Sequence, residues 1–260
     1  MVNSFKGINF NMNFLNIIKQ KKNIALLVLI IVIAGGGWYY QKRRTPSPVS
    51  SGNELSAELK PYAHLFEFEN LDPNLPDTSR EKFFKRFTAA TNALRANPDN
   101  FNAWLDLGLV HKNLNAFEKA RDAWERLGEI RPLNSISFSN LGDLYAWFLH
   151  EPAKGEAAYL KALKNEPTDI NFYRNLAEIY DKLILERKSQ IDPLLEEGIK
   201  AAKTNTEKAE LTALMATYER DREDMDEALK HYREVLALDP QYPKKEAIQA
   251  EIDKLTSTKP

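Results

Sequence analysis

Residues 101–134 read FNAWLDLGLVHKNLNAFEKARDAWERLGEIRPLN. Trp104, Leu107, Gly108 and His111 fall three or four residues apart, the spacing that lines one face of a helix, and Ala120 and Trp124 do the same in a second segment. Pro132 closes the stretch where a helix cannot continue. The same series recurs outward along the chain. Trp104, Phe138 and Tyr173 are separated by 34 and 35 residues, followed in step by Leu107, Leu141 and Leu176, then Gly108, Gly142 and Ala177, then His111, Tyr145 and Tyr180. Ala120 and Gly155 are the small residues of the second segments, Trp124 and Tyr159 the aromatics four residues later, and Pro98, Pro132 and Pro167 end successive units. A period of this length predicts helical hairpins that cannot bury both apolar faces alone and therefore stack on one another.

The pattern resembles the tetratricopeptide repeat (TPR) family. The expected fold is an all-α, TPR-type helical-hairpin solenoid over residues 79–257, with about four repeats plus capping helices. Residues 101–134 match the motif almost completely, with His111 in place of the usual tyrosine and Leu127 in place of a small residue. In a second unit, 135–169, we expect the one extra residue to lie in the Glu151-Pro152 turn. A third starts at Ile170, with its second helix expected only at Pro193, capped by Asp192, so its turn or first helix is about six residues longer than the pattern predicts. A fourth, near 208–240, offers Leu211, Leu214, Tyr218, Ala228 and Tyr232, with Met215 where a small residue is expected and looser packing as the consequence. A lone second-type helix from Ser79, capped by that serine, and an amphipathic helix from Pro243 to Leu255 are the expected end caps.

The N-terminal region is of a different kind. Residues 1–23 form a short basic segment, and Ile24 to Ala34 reads IALLVLIIVIA, followed by three glycines and Trp38, Tyr39 and Tyr40. Residues 24–40 can span a hydrocarbon core as a transmembrane helix, at the lower edge of the required length. The nine Leu, Ile and Val residues favour insertion by roughly 3–5 kcal/mol. Aromatics at one end and Lys19, Lys21, Lys22, Lys42, Arg43 and Arg44 on the flanks mark the two interfaces. A cleaved signal peptide is the competing reading, since Ala34 and Gly36 suit a signal peptidase. The expected topology is a single-pass membrane protein, N-terminus cytoplasmic and repeats extracytoplasmic. Residues 41–78 read as a linker followed by an irregular strap that docks Phe66 and Phe68 on the repeats.

Composition narrows the function. Lys and Arg total 36 against 37 Asp and Glu, a net charge of -1, which gives no electrostatic footprint for nucleic acid. With no cysteine, disulfides, thiolate metal sites and a catalytic thiol are excluded. The four histidines, His64, His111, His150 and His231, are too scattered to form a two-histidine ligand pair, and no Gly-rich phosphate loop is present. The acidic runs Glu196-Glu197 and Glu223-Asp224-Asp226-Glu227 read as solvated charges. We therefore expect no enzyme activity, no cofactor and no metal.

Binding remains. By the resemblance, the first helix of each unit lines a concave face, to which Leu105, Leu109, Ser139, Asp143, Arg174 and Glu178 contribute. Asn140 and Asn175 are candidates to bond a ligand backbone, and Trp147 lies nearby. The family's chaperone-binding members use Lys and Asn at the positions of Leu105 and Leu109 to hold a terminal carboxylate. Here that clamp is absent, and an apolar helix or extended segment of a partner protein or peptide is the expected ligand. Packing of the two leucines against the N-terminal helix is the alternative. The layout of tether plus repeats is similar to bacterial inner-membrane proteins that assist export or envelope assembly, with homo-oligomerisation as the competing role.

Overall fold

The computed structural model describes residues 54–257, and the helices below belong to one unit, Leu55–Pro260. It is an all-α solenoid. Among the described residues ten α-helices follow in order: α1 (Asp77–Ala96), α2 (Phe101–Asn113), α3 (Phe117–Ile130), α4 (Ile136–Asp143), α5 (Pro152–Asn165), α6 (Ile170–Lys182), α7 (Ile191–Ala201), α8 (Asn205–Asp221), α9 (Met225–Leu238) and α10 (Lys245–Ser257). The strongest inter-helix contacts join sequence neighbours, as expected when each hairpin buries its apolar faces on the next.

The repeat residues explain the stacking. Gly108 and Gly142 let a ring from the second helix lie directly on the first: a Cβ at Gly108 would overlap the Trp124 indole, and one at Gly142 would overlap the Tyr159 ring. The leading aromatics close the joint between units. Trp104 Nε1 donates to the Pro98 carbonyl at 2.7 Å and the Tyr173 hydroxyl to the Pro167 carbonyl at 2.9 Å. Phe138 has no such donor, and Asn165 Nδ2 bonds the Pro132 carbonyl instead at 3.1 Å. First helices are capped in step: Asn100 accepts from the Ala103 amide, Asn134 from Ser137 and Asp169 from Asn171, while Thr204 and Glu207 form a reciprocal capping box. Three hairpin turns share one construction, with Asn115, His150 and Glu223 in left-handed backbone just before the second helix.

Those turns correct several expectations. The Ala116 and Asp224 amides each bond the carbonyl five residues back, but the Glu151 amide reaches six back to Tyr145. The extra residue of the second unit is therefore absorbed by a π turn, Leu144–Phe148, and not by the Glu151-Pro152 turn. In the fourth unit α8 has 17 residues against 13 in α2, so it carries an additional N-terminal turn. Aligned on the hairpin turn, Ala216 takes the place of Gly108 and Glu219 that of His111, which moves the first-helix register by one residue from the expected one. The small position is thus filled by buried Ala216, and Met215 takes that of Leu107. In the third unit the six additional residues fold as a 3-10 turn, Leu185–Gln190, and α7 begins at Ile191 with Asp192 in its first turn and no side-chain cap. Pro193 fits there because the first four amides of a helix have no intrahelical acceptor. Helix α1 starts at Asp77 after Pro76, so Ser79 lies inside it and does not cap it.

The strap docks as its aromatics suggest. A 3-10 helix, Lys60–Phe66, buries Leu65 and the preceding Leu59 in the main core. Tyr62 meets Trp104 edge-on at 5.3 Å, Phe68 meets Phe84 and Phe87, and Arg95 lies over Phe66. Buried His111 donates from Nε2 to the Leu65 carbonyl at 3.0 Å. Burial holds its pKa down at about 4 against the opposing pull of that hydrogen bond, so the ring is neutral at pH 7. The proposed span, residues 24–40, lies outside the described residues, among which no helix is long and apolar enough to cross a membrane.

Candidate partner-binding face

Residues four apart on a helix share a face, so Leu105 and Leu109 on α2, Ser139 and Asp143 on α4, and Arg174 and Glu178 on α6 form three successive rungs. Leu105 and Leu109 are half-buried and pack against the main core. Ser139 and Asn140 are half-buried too, and the Ser139 hydroxyl donates back to the Ile136 carbonyl at 3.1 Å.

The structure joins Asp143 and Asn175 through a residue absent from the expected face. The Tyr159 hydroxyl donates to Asp143 Oδ1 at 2.5 Å, and Asn175 Nδ2 donates to the Tyr159 oxygen at 3.0 Å. Burial, and next the Asp143 charge, push the Tyr159 hydroxyl far above the usual tyrosine range, so it stays a donor. This chain ties α4, α5 and α6 and orients both polar residues, each of which keeps further hydrogen-bonding capacity. Tyr159 was legible as a repeat aromatic; its link to two residues 16 positions away on either side was not.

Arg174 and Glu178 are exposed. Arg174 bridges to Glu210 of α8 at 2.5 Å and to Asn171 at 2.9 Å, an exposed pairing of small net value. Glu178 belongs to an acidic region with Asp181 and Asp221, whose charges, after burial, help push the Tyr218 hydroxyl up to about 12. Trp147 is half-buried in the π turn, while its neighbour Phe148 is exposed, 5.1 Å from the Phe117 ring and capped by Lys112 at 4.6 Å. The face therefore runs from apolar at α2 to charged at α6.

Comparison with known proteins agrees with the fold. Residues 88–134 match the tetratricopeptide repeat family. Over 126 residues the chain is 29% identical to anaphase-promoting complex subunit 3 of Schizosaccharomyces pombe, which covers 48% of this chain but 17% of that protein. Two crystal structures of MamA share the fold at 16% identity and a TM-score of 0.51, one aligning over 66% of this chain and 96% of its own, the other over 65% and 88%. The molecule is an all-α solenoid of tetratricopeptide-like hairpins. Proteins of this repeat class generally mediate protein–protein interactions and are typically non-enzymatic.

Proposed function

We propose that this chain is a membrane-tethered scaffold that holds a partner protein by an apolar helix or extended segment laid along the first-helix face. The observation that carries the reading is the pair Leu105 and Leu109, one turn apart and still partly solvent-accessible, at the apolar end of a face whose other rungs present Ser139, Asp143, Arg174 and Glu178. Burying two leucines supplies affinity, and the oriented Asp143 and Asn175 with the acidic region around Glu178 supply polarity and direction. The fitting ligand is apolar at one end and polar at the other. The apolar run 24–34, the aromatics after it and its basic flanks support anchorage through residues 24–40, with the repeats extracytoplasmic in an envelope-assembly or export role.

A photo-crosslinking residue at Leu109 of the full chain, in native membranes, tests the face. Adducts formed from Leu109, absent from the same residue at exposed Leu160 of α5 and lost in L105K/L109K, are expected. Because both leucines touch the core, the double variant must also keep its helical circular dichroism and melting temperature. A large stability loss assigns them to packing, and adducts from Leu160 alone overturn the reading. Because the chain is cysteine-free, S51C labelled in intact cells with an impermeant maleimide reads the topology directly.

A further inference from the structure

Three repeat units bury an aromatic or imidazole ring at one first-helix position, namely His111, Tyr145 and Tyr180, whereas the fourth places Glu219 there. Burying a carboxylate costs several kcal/mol unless something of opposite charge meets it. The Glu219 side chain is 6% exposed, and Nδ1 of His231 on α9 lies 2.7 Å from its Oε2. Glu227 stands four residues before His231, on the same face of α9. One donor atom from each of Glu219, Glu227 and His231 lies within 4.8 Å of the other two, the only such trio among the described residues.

We propose that Glu219, Glu227 and His231 form a binding site for a divalent transition-metal ion of the zinc class, clasping α8 to α9. One imidazole nitrogen and two carboxylate oxygens are a donor set zinc accepts, and they leave a fourth tetrahedral position for water or a partner's side chain. Donors around tetrahedral zinc sit about 3.4 Å apart, so the site closes when Glu227 changes rotamer and the Glu219–His231 pair, now at 2.7 Å, opens slightly to admit the ion. Glu227 is the mobile member: it is 47% exposed and paired with Lys230 at 2.6 Å, a surface contact of small net worth. Zinc bound at Nδ1 of His231 takes the place of the Glu219–His231 hydrogen bond, with the imidazole hydrogen carried on Nε2. Of the cations near Glu219, Arg222 is already held by Asp192 at 2.7 Å and Lys230 by Glu227 at 2.6 Å. Magnesium and calcium favour all-oxygen coordination, so an imidazole nitrogen among the three donors favours a zinc-class ion over either. The pair Glu227 and His231 is readable in the sequence; Glu219 joins them because the hairpin turn holds it at the buried position that His111 takes in the first unit.

Zinc, magnesium and calcium are titrated separately into the untagged full chain by calorimetry. The expected result is one zinc per chain, weakened roughly tenfold or more by His231→Ala and, separately, by Glu227→Gln. Glu227→Gln changes a half-exposed residue and leaves the core intact, so its effect does not depend on folding. His64→Ala, which removes the histidine lying 2.8 Å from Asp122, leaves zinc affinity unchanged. No zinc uptake by the wild type, equal affinity in both site variants, loss in His64→Ala, or tighter magnesium or calcium binding would each overturn the proposal.

Discussion

Replacing Gly108 with alanine tests the stacking rule directly, because two contributions of opposite sign meet at that position. Alanine in place of glycine inside a helix stabilises by about 1 kcal/mol. Here the added methyl would sit 2.5 Å from Cδ1 and 2.6 Å from Cε2 of Trp124, a rigid and fully buried ring with no room to swing away. Overpacking of this kind costs about 1–3 kcal/mol. Displacing the indole also breaks the 3.3 Å bond from Trp124 Nε1 to the Leu105 carbonyl, a further loss of roughly 1 kcal/mol. The balance is a destabilisation of about 2 kcal/mol, which in a domain of this size lowers the melting temperature by roughly 4–8 °C. Thermal and urea unfolding of the full chain, followed by far-ultraviolet circular dichroism, measure it. A G108A protein as stable as wild type or more so would mean that propensity outweighs the contact and would refute the account of why a small residue is needed there.

Two further substitutions probe the strap. Leu65→Ala removes a fully buried side chain and is expected to destabilise by about 2–5 kcal/mol, with limited proteolysis now cutting between residues 60 and 76 before the helices. His111 is neutral in the fold, with a pKa of about 4 against 6.5 when exposed. As pH falls from 6.5 towards 4 the unfolded chain therefore takes up a proton that the native chain refuses, and stability declines by up to about 3 kcal/mol. His111→Phe is expected to flatten that decline when urea midpoints at pH 7 and pH 4.5 are compared. Glu219, whose pKa is raised by burial, contributes a slope of opposite sign above pH 4.5 that is common to both proteins and cancels in the difference. An unchanged slope in His111→Phe would remove His111 as its source.

Much of the candidate face was readable because exposure along a first helix follows from the helical period. Once Trp104, Leu107, Gly108 and His111 face inward, Leu105 and Leu109 must lie beside them. What the period does not carry is how polar residues from different helices meet. Asp143 and Asn175 are both in the repeat pattern, yet their junction at the Tyr159 hydroxyl depends on how closely α5 seats against Gly142. Glu227 and His231 look like ordinary surface residues of α9 until Glu219 is placed opposite them.

The repeated aromatics, small residues and prolines by themselves determined an all-α stack, since each hairpin touches mainly its neighbours and a local pattern suffices to specify such contacts. Insertions were decided by the tertiary structure. One extra residue became a π turn at Leu144–Phe148, six became a 3-10 turn at Leu185–Gln190, and one extra turn lengthened α8 at its start. An added residue can be accommodated in a helix, at its end or in a loop at similar local cost. Packing against the adjacent hairpin selects among them, because only one choice keeps the buried faces of both in register.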